Sequence, residues 1–354
     1  MTGEIKMKNK FRQISGVIMK IYKIIFFIIL AGAVSVLSAQ TVKTGTTAAQ
    51  VLKIGVGARA VGMGGAYTAV ANDISAMYWN PGGLASVKSN EAYFNHTSLY
   101  ADIGFDYAAF ASYLEGVGTI GASVSVLSID EMKVRTIEKP EGTGEMFDVG
   151  SIVIGLSYAR NLTENFSIGV NVKYINESIY NMSSTGFGID IGTVYRIPVL
   201  NELRIASSIS NFGTKMRLEG RDALVITPSG ASGDNLINSN LELDAFDLPL
   251  LFRFGLSSDI IKLESSRLTI AVDAIHPNDH TEYINSGAEY SWNEMVFIRA
   301  GWNALFEKDS EKGLTLGVGL NYRLADYVTF KFDYAYEDYG RLKEAHFFSA
   351  GIKF

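Results

Sequence analysis

From about Asn90 to the end of the chain, apolar residues alternate with polar or small ones in segments of roughly ten residues, a period of two that predicts strands. Ile120, Ala122, Val124 and Val126 oppose Gly121, Ser123 and Ser125, and Phe166, Ile168, Val170 and Val172 oppose Ser167, Gly169, Asn171 and Lys173. Later segments repeat the pattern: Leu314, Leu316, Val318, Leu320 and Tyr322 against Thr315, Gly317, Gly319, Asn321 and Arg323, then Val328, Phe330, Phe332, Tyr334 and Tyr336 against Thr329, Lys331, Asp333 and Ala335. Alternation alone does not tell a soluble sandwich, apolar inside, from a membrane barrel, apolar outside. Length does, because strands of about ten residues fit a tilted membrane span better than the five or six usual in soluble sheets.

Fourteen such segments can be placed, with starts near Asn90, Gly104, Val117, Val149, Asn165, Thr185, Glu202, Pro249, Ser266, Thr281, Glu294, Gly313, Asp326 and Ala345. The connections after even segments are short, as at Glu115-Gly116 or Trp292-Asn293. Those after odd segments are longer: Asp130 to Asp148, Asn181 to Ser184, Thr214 to Asp247, Pro277 to His280, Leu305 to Lys312 and Glu337 to Glu344. Short turns at one rim and longer loops at the other are the plan of a bacterial outer-membrane barrel. The predicted fold is therefore an all-β membrane protein, a closed antiparallel barrel of about 14 strands over residues 90–354 with both termini at the short-turn, periplasmic rim. The final strand, Phe348, Ala350, Ile352 and Phe354 on one face, ends on an aromatic residue that resembles the assembly signal of such barrels.

The opposite end of the chain carries Lys20 and Lys23, an apolar run from Ile24 to Leu37 and the small-residue stretch Ser38-Ala39-Gln40. That order is a secretory signal cut after Ala39, and the run is too short to span a bilayer. Met19 is an alternative start. Residues 1–39 are thus expected to be removed, leaving 40–89 as an amino-terminal segment ahead of the barrel. The leader carries +5 from Lys6, Lys8, Lys10, Arg12, Lys20 and Lys23 against Glu4, so the rest of the chain stands at −11 where the whole stands at −6. A balance that acidic disfavours nucleic acid and anionic head groups as partners. The absence of cysteine removes disulfides and thiolate chemistry, while 35 Gly, 18 Tyr and 20 Phe against 6 Pro suit a many-stranded membrane barrel.

Between leader and first strand runs a stretch without alternation, from Gly57-Ala58-Arg59-Ala60-Val61-Gly62-Met63-Gly64-Gly65-Ala66-Tyr67 through Asn72-Asp73 to Tyr78-Trp79-Asn80-Pro81-Gly82. Ile74 to Trp79 reads as a short helical turn stopped by Pro81. The glycines do not make a phosphate loop: no strand precedes them, the third glycine is missing and no lysine follows. The stretch closely resembles the amino-terminal signature of the PorV/PorQ family within the wider FadL-like group of outer-membrane barrels, with Gly82 standing where those families commonly have Ala. The resemblance implies that this segment folds into the barrel as a hatch, with Arg59, Gly62, Gly64, Gly65, Asn72, Asp73, Trp79, Asn80 and Pro81 in the lumen, fastening it there. It further implies a non-enzymatic component of type IX secretion and cell-surface attachment, with a translocon, a sortase or secreted cargo as partners. The alternative it carries is FadL-like passage of a hydrophobic small molecule.

Two features of the residues themselves bear on that choice. The loop Thr214 to Asp247 is long enough to be functional, and Leu224, Val225 and Ile226 within it are candidate partner contacts. Lys173, Asp190, Arg196, Asp273, Arg299, Arg323, Lys331 and Asp333 all fall on lumen-facing positions, where they would pair and hydrate rather than line an apolar path. The four histidines, His96, His276, His280 and His346, are scattered, and Pro277 interrupts the pair that shares a loop, so neither a metal site nor a cofactor is implied.

Overall fold

A computed structural model describes residues 44–101, 103–229, 235–307, 310–325 and 327–354. The expected leader, its cleavage point and the alternative start at Met19 lie outside the described residues. Fourteen strands form the wall: β1 (Glu91–Ser98), β2 (Gly104–Leu114), β3 (Gly118–Lys133), β4 (Met146–Asn161), β5 (Phe166–Ile179), β6 (Met182–Ile197) and β7 (Leu203–Gly213). After the short strands β8 (Glu219–Gly220), β9 (Leu224–Ser229) and β10 (Asn235–Asn240), the wall continues as β11 (Leu251–Lys262), β12 (Ser266–Pro277), β13 (Tyr283–Trp292), β14 (Val296–Leu305), β15 (Leu314–Ala325), β16 (Val328–Asp338) and β17 (Glu344–Lys353). Each wall strand pairs antiparallel with its neighbours, and β1 pairs with both β2 and β17. The wall is therefore closed, and no backbone edge is left without partners in lipid. Asn90 and Phe354 complete the seam, each amide donating to the other's carbonyl at 3.0 and 2.9 Å.

The alternation places side chains as expected. Leu156, Phe187 and Phe212 are among the most exposed apolar residues of the wall, whereas Ser157, Asn171 and Thr315 on the opposite parity are buried. The core lies inside the barrel, where Tyr67, Met63, Ile74, Met77 and Leu84 of the amino-terminal segment pack against inward residues such as Phe105 and Ile175. That segment runs through the lumen as short pieces: 3₁₀ turns at Gln50–Lys53 and Pro81–Ser86, and helical turns at Ala58–Gly62 and Ala76–Trp79. The predicted turn ending before Pro81 is present, with Asn80 extended and its side chain accepting from the Gly82 amide at 3.0 Å.

Three expectations are corrected. The Asn181 to Ser184 connection is a tight hairpin, because β5 and β6 stay paired up to Ile179 and Met182 and Tyr180 takes the left-handed φ of 53° that a tight turn needs. The Asp130 to Asp148 loop is shorter, since β3 and β4 continue to Lys133 and Met146. The first and last described residues also lie at different rims. Phe354 lies at the short-turn rim, but the first described residues lie at the opposite one: the Ala48 amide donates to the Asp247 carbonyl at 3.0 Å, the Ala49 amide to Glu177, and Thr47 to Asp279. Ser86 and Val87 meet Arg196 and Thr119 at the short-turn rim. A segment threaded lengthwise through a barrel necessarily begins and ends at different rims.

Candidate functional site

The hatch is seated by one buried charge network. The Arg59 side chain, on the helical turn Ala58–Gly62, gives a bidentate pair to Glu289 of β13, Nε to Oε2 at 2.8 Å and Nη2 to Oε1 at 3.0 Å. Its Nη1 donates to Asn72 at 2.7 Å and to Asp73 at 2.9 Å, and its guanidinium lies 5.4 Å from the centre of the Tyr67 ring. Arg299 and Arg267 also donate to Glu289, at 2.8 and 3.2 Å, and Arg299 continues to Asp333 at 2.6 Å. Three guanidinium groups around one fully buried carboxylate give it the charge compensation and hydrogen bonds that burial requires. Within the hatch, burial pushes the Asp73 carboxyl up, but Arg59 and Lys331, with hydrogen bonds from Ser75 and Tyr67, outweigh it and hold Asp73 below the ordinary carboxylate value.

The signature glycines mark where the hatch backbone touches the wall. At Gly64, with φ 65°, a Cβ would lie 2.6 Å from the Trp302 amide nitrogen; at Gly62 it would lie 3.0 Å from the Gly317 Cα. Gly82 is accounted for in the same way: a Cβ there would meet the Gly192 carbonyl oxygen at 2.7 Å. Asn80 holds the next turn, donating to the Thr68 and Thr193 carbonyls at 2.9 and 3.1 Å, while the Trp79 indole donates to the Val56 carbonyl at 2.7 Å. Pro81 opens the following 3₁₀ turn against Gly169, whose missing side chain makes room for the Pro81 carbonyl.

The predicted lumen charges fall into several groups. Lys173 pairs with Asp190 at 2.8 Å and with Asn211, and Asp190 accepts from Asn171 and from the Asn211 amide. Asp273 accepts from the Tyr67 and Thr68 amides of the hatch at 2.9 and 2.8 Å. Lys331 pairs with Glu91 at 3.3 Å, whereas Arg323 is exposed near the short-turn rim. Beside the Lys173 cluster, between Leu52 and Met77 of the hatch and Phe105 and Val153 of the wall, is a cavity of about 30 Å³. That is room for a water or two, against the several hundred Å³ of a typical ligand pocket.

Sequence reasoning missed Glu289 and Arg253. Both sit on inward parity between outward residues, and an uncompensated charge in a strand at that parity was the available signal. Arg253 stacks at 5.7 and 5.4 Å on the Tyr78 and Trp79 rings of the hatch.

The described residues of the long loop carry regular structure. Its base is pinned by Met216, buried over Gly186 and bridged to Phe246 through paired backbone hydrogen bonds of 2.9 Å, and by β8 against β6. From that base rises a two-stranded hairpin, β9 with β10. Pairing of Pro228 with Leu236 and of Ile226 with Asn238 places Leu224, Ile226 and Leu236 on one face, exposed at 51, 69 and 67 %. Val225 projects to the other face with Ile237, so the predicted trio is split and Leu236 takes the third place. The histidines remain apart, and among the described residues no cluster of three metal-binding side chains occurs.

The sequence matches the family model for the type IX secretion system protein PorV over residues 37–250, more than half of the chain and including the hatch, β1 to β7 and the long loop. This chain belongs to the PorV family. No curated protein sequence matches it. Among solved structures, PorV-type architecture here is similar to the CymD monoaromatic hydrocarbon channel, with TM-score 0.55 and 14 % identity over 84 % of this chain and 96 % of that one. It is also similar to the Pseudomonas putida toluene transporter TodX (0.55, 12 %, 84 and 97 %) and the Ralstonia pickettii toluene transporter TbuX (0.54, 13 %, 84 and 97 %). At such identities the likeness is one of fold alone, a closed antiparallel β-barrel.

Proposed function

We propose that this PorV-family protein is a non-enzymatic partner in type IX secretion, binding the translocon, a sortase or secreted cargo from the long-loop side of the outer membrane. The observation that carries the reading is the exposed apolar face of Leu224, Ile226 and Leu236 on the β9–β10 hairpin, within the region matched to the family. Exposed apolar anchors ringed by polar residues are the usual centres of protein interfaces. In this reading the long-loop rim faces outward, Phe354 serves barrel assembly at the periplasmic rim, residues 1–39 are the removed leader, and the signature residues fasten the hatch.

Passage of a hydrophobic small molecule is the second reading, favoured by the fold shared with hydrocarbon channels. Against it, the hatch fills the lumen and the charges beside the cavity are paired. The discriminating experiment is deletion of the gene in its own host. Loss of secreted and surface-attached proteins with unchanged uptake of a labelled fatty acid or toluene supports the secretion reading, and the reverse supports transport.

A further inference from the structure

The β9–β10 hairpin is a two-stranded sheet separate from that of the wall, so each of its strands has one edge outside the ladder. The Leu241 amide donates to the Ala223 carbonyl at 2.8 Å, directly across the hairpin, and this fixes the parity of the bonds. In an antiparallel pair, bonded and non-bonded couples alternate along the strands. The backbone groups of Val225, Thr227 and Ser229 therefore face those of Ser239, Ile237 and Asn235. Those of Leu224, Ile226 and Pro228 on β9, and of Leu236, Asn238 and Asn240 on β10, point away from the ladder.

The two edges are not alike. On β9 the Leu224 amide already donates to the Arg221 carbonyl and Pro228 has no N–H, so Ile226 alone offers a donor. A proline facing outward is one of the devices that keep an edge from pairing with another chain, as charged side chains are. β10 has neither proline nor charge, and all of it is exposed except the half-buried Ser239. The amides and carbonyls of Leu236, Asn238 and Asn240 make no hydrogen bond to other described residues.

We propose that the outer edge of β10 receives an extended segment of a secreted cargo protein, which joins the hairpin as a third strand. Donors and acceptors at every second residue of a strand are complementary to another extended backbone, and here three residues in a row present them. Leu236, on the exposed apolar face shared with Leu224 and Ile226, gives the added strand an apolar neighbour. Main-chain hydrogen bonds tolerate differences in side-chain sequence, which suits a site that serves many secreted proteins. This inference rests on the secretion reading and refines it, taking cargo as the partner and its backbone as the recognised group.

The experiment uses the full-length protein in mild detergent and a purified secreted protein of the same host that carries a type IX secretion signal. Binding is followed by microscale thermophoresis and by residue-resolved amide hydrogen exchange. With cargo bound, the amides of Leu236, Asn238 and Asn240 should gain protection, while that of Ile226 on the opposite edge should not. Asn238→Pro removes one outward donor without touching a bond between β9 and β10, as Pro228 does on the facing strand. It should bind cargo on the order of tenfold more weakly than Asn238→Ala, which keeps the N–H. The exchange pattern of wild type carries the test should Asn238→Pro fail to fold. Equal affinity of the two variants, unchanged exchange on β10, or the same protection arising without cargo through pairing of two copies would overturn the proposal. Absence of cargo binding by wild type would overturn it too, yet would leave the secretion reading standing where deletion of the gene still abolishes secretion.

Discussion

Arg59 in the hatch and Glu289 in the wall are 230 residues apart in sequence and meet in a bidentate ion pair inside the barrel, the carboxylate fully buried. Removing one member of such a pair leaves the other charged in a low-dielectric site, at roughly 3–5 kcal/mol. Glu289→Ala, which takes the shared carboxylate from Arg59, Arg267 and Arg299 at once and leaves each with its one other acidic partner, should therefore loosen the hatch more than Arg59→Ala, after which Glu289 keeps two guanidinium partners. Single-channel conductance in planar bilayers reads this directly: wild type should be nearly silent, Arg59→Ala should flicker and Glu289→Ala should conduct for longer. Silent recordings from both variants would mean that the network does not hold the hatch.

Gly82→Ala should destabilise this protein, because its Cβ would press on the Gly192 carbonyl. Gly64→Ala adds a left-handed φ to a similar collision, so its cost should be larger; strain of this kind is on the order of 1–3 kcal/mol. Urea unfolding in lipid vesicles ranks the three proteins, and a Gly82→Ala midpoint at or above wild type would refute the packing argument.

Leu156 points into lipid from the middle of β4. Leu156→Arg should cost roughly 2–4 kcal/mol if it lies near the bilayer midplane, whereas Leu156→Ala should be mild. The same vesicle unfolding decides it, and equal midpoints for the two variants would speak against the outward assignment.

The strand count, the parity of the wall and the unequal rims were legible because a period of two and the length of a turn are local properties. Segment starts fall within three residues of the observed strands on that basis. The hatch was legible only as a signature. It has no periodicity, and its contacts with Glu289, Asp273 and Asp279 span more than 200 residues, so neither its direction through the lumen nor its chief partner could be read from spacing. The hairpin β9–β10 had a local signal, the run Leu224-Val225-Ile226-Thr227, masked by the polar residues around it.

The start of the hatch is tied to the long-loop rim through Asp279, which accepts from Thr47 at 2.6 Å and pairs with Lys53. Burial pushes this carboxyl up, but Lys53 and Thr47 hold it below the ordinary value. A carboxyl lowered by folding stabilises the fold above its unfolded value, about 3.9, and that contribution is lost as pH falls through the folded value. Hydrogen exchange at Ala48 to Lys53 should thus be protected to the same degree from pH 8 to 5, once corrected for intrinsic rates, and lose protection only below about pH 4. Asp279→Asn should be less protected throughout; a loss of protection near pH 6 would point to another group.

In the proposed role, one face of the β9–β10 hairpin captures a secretion partner. The most direct measurement is mild-detergent co-purification from the native host, comparing wild type with a Leu224→Ser, Ile226→Ser, Leu236→Ser triple variant and confirming folding by heat-modifiable gel migration. The variant should fold normally and no longer bring down type IX translocon, sortase or cargo proteins captured by wild type. A folded variant that captures them as well as wild type would contradict it.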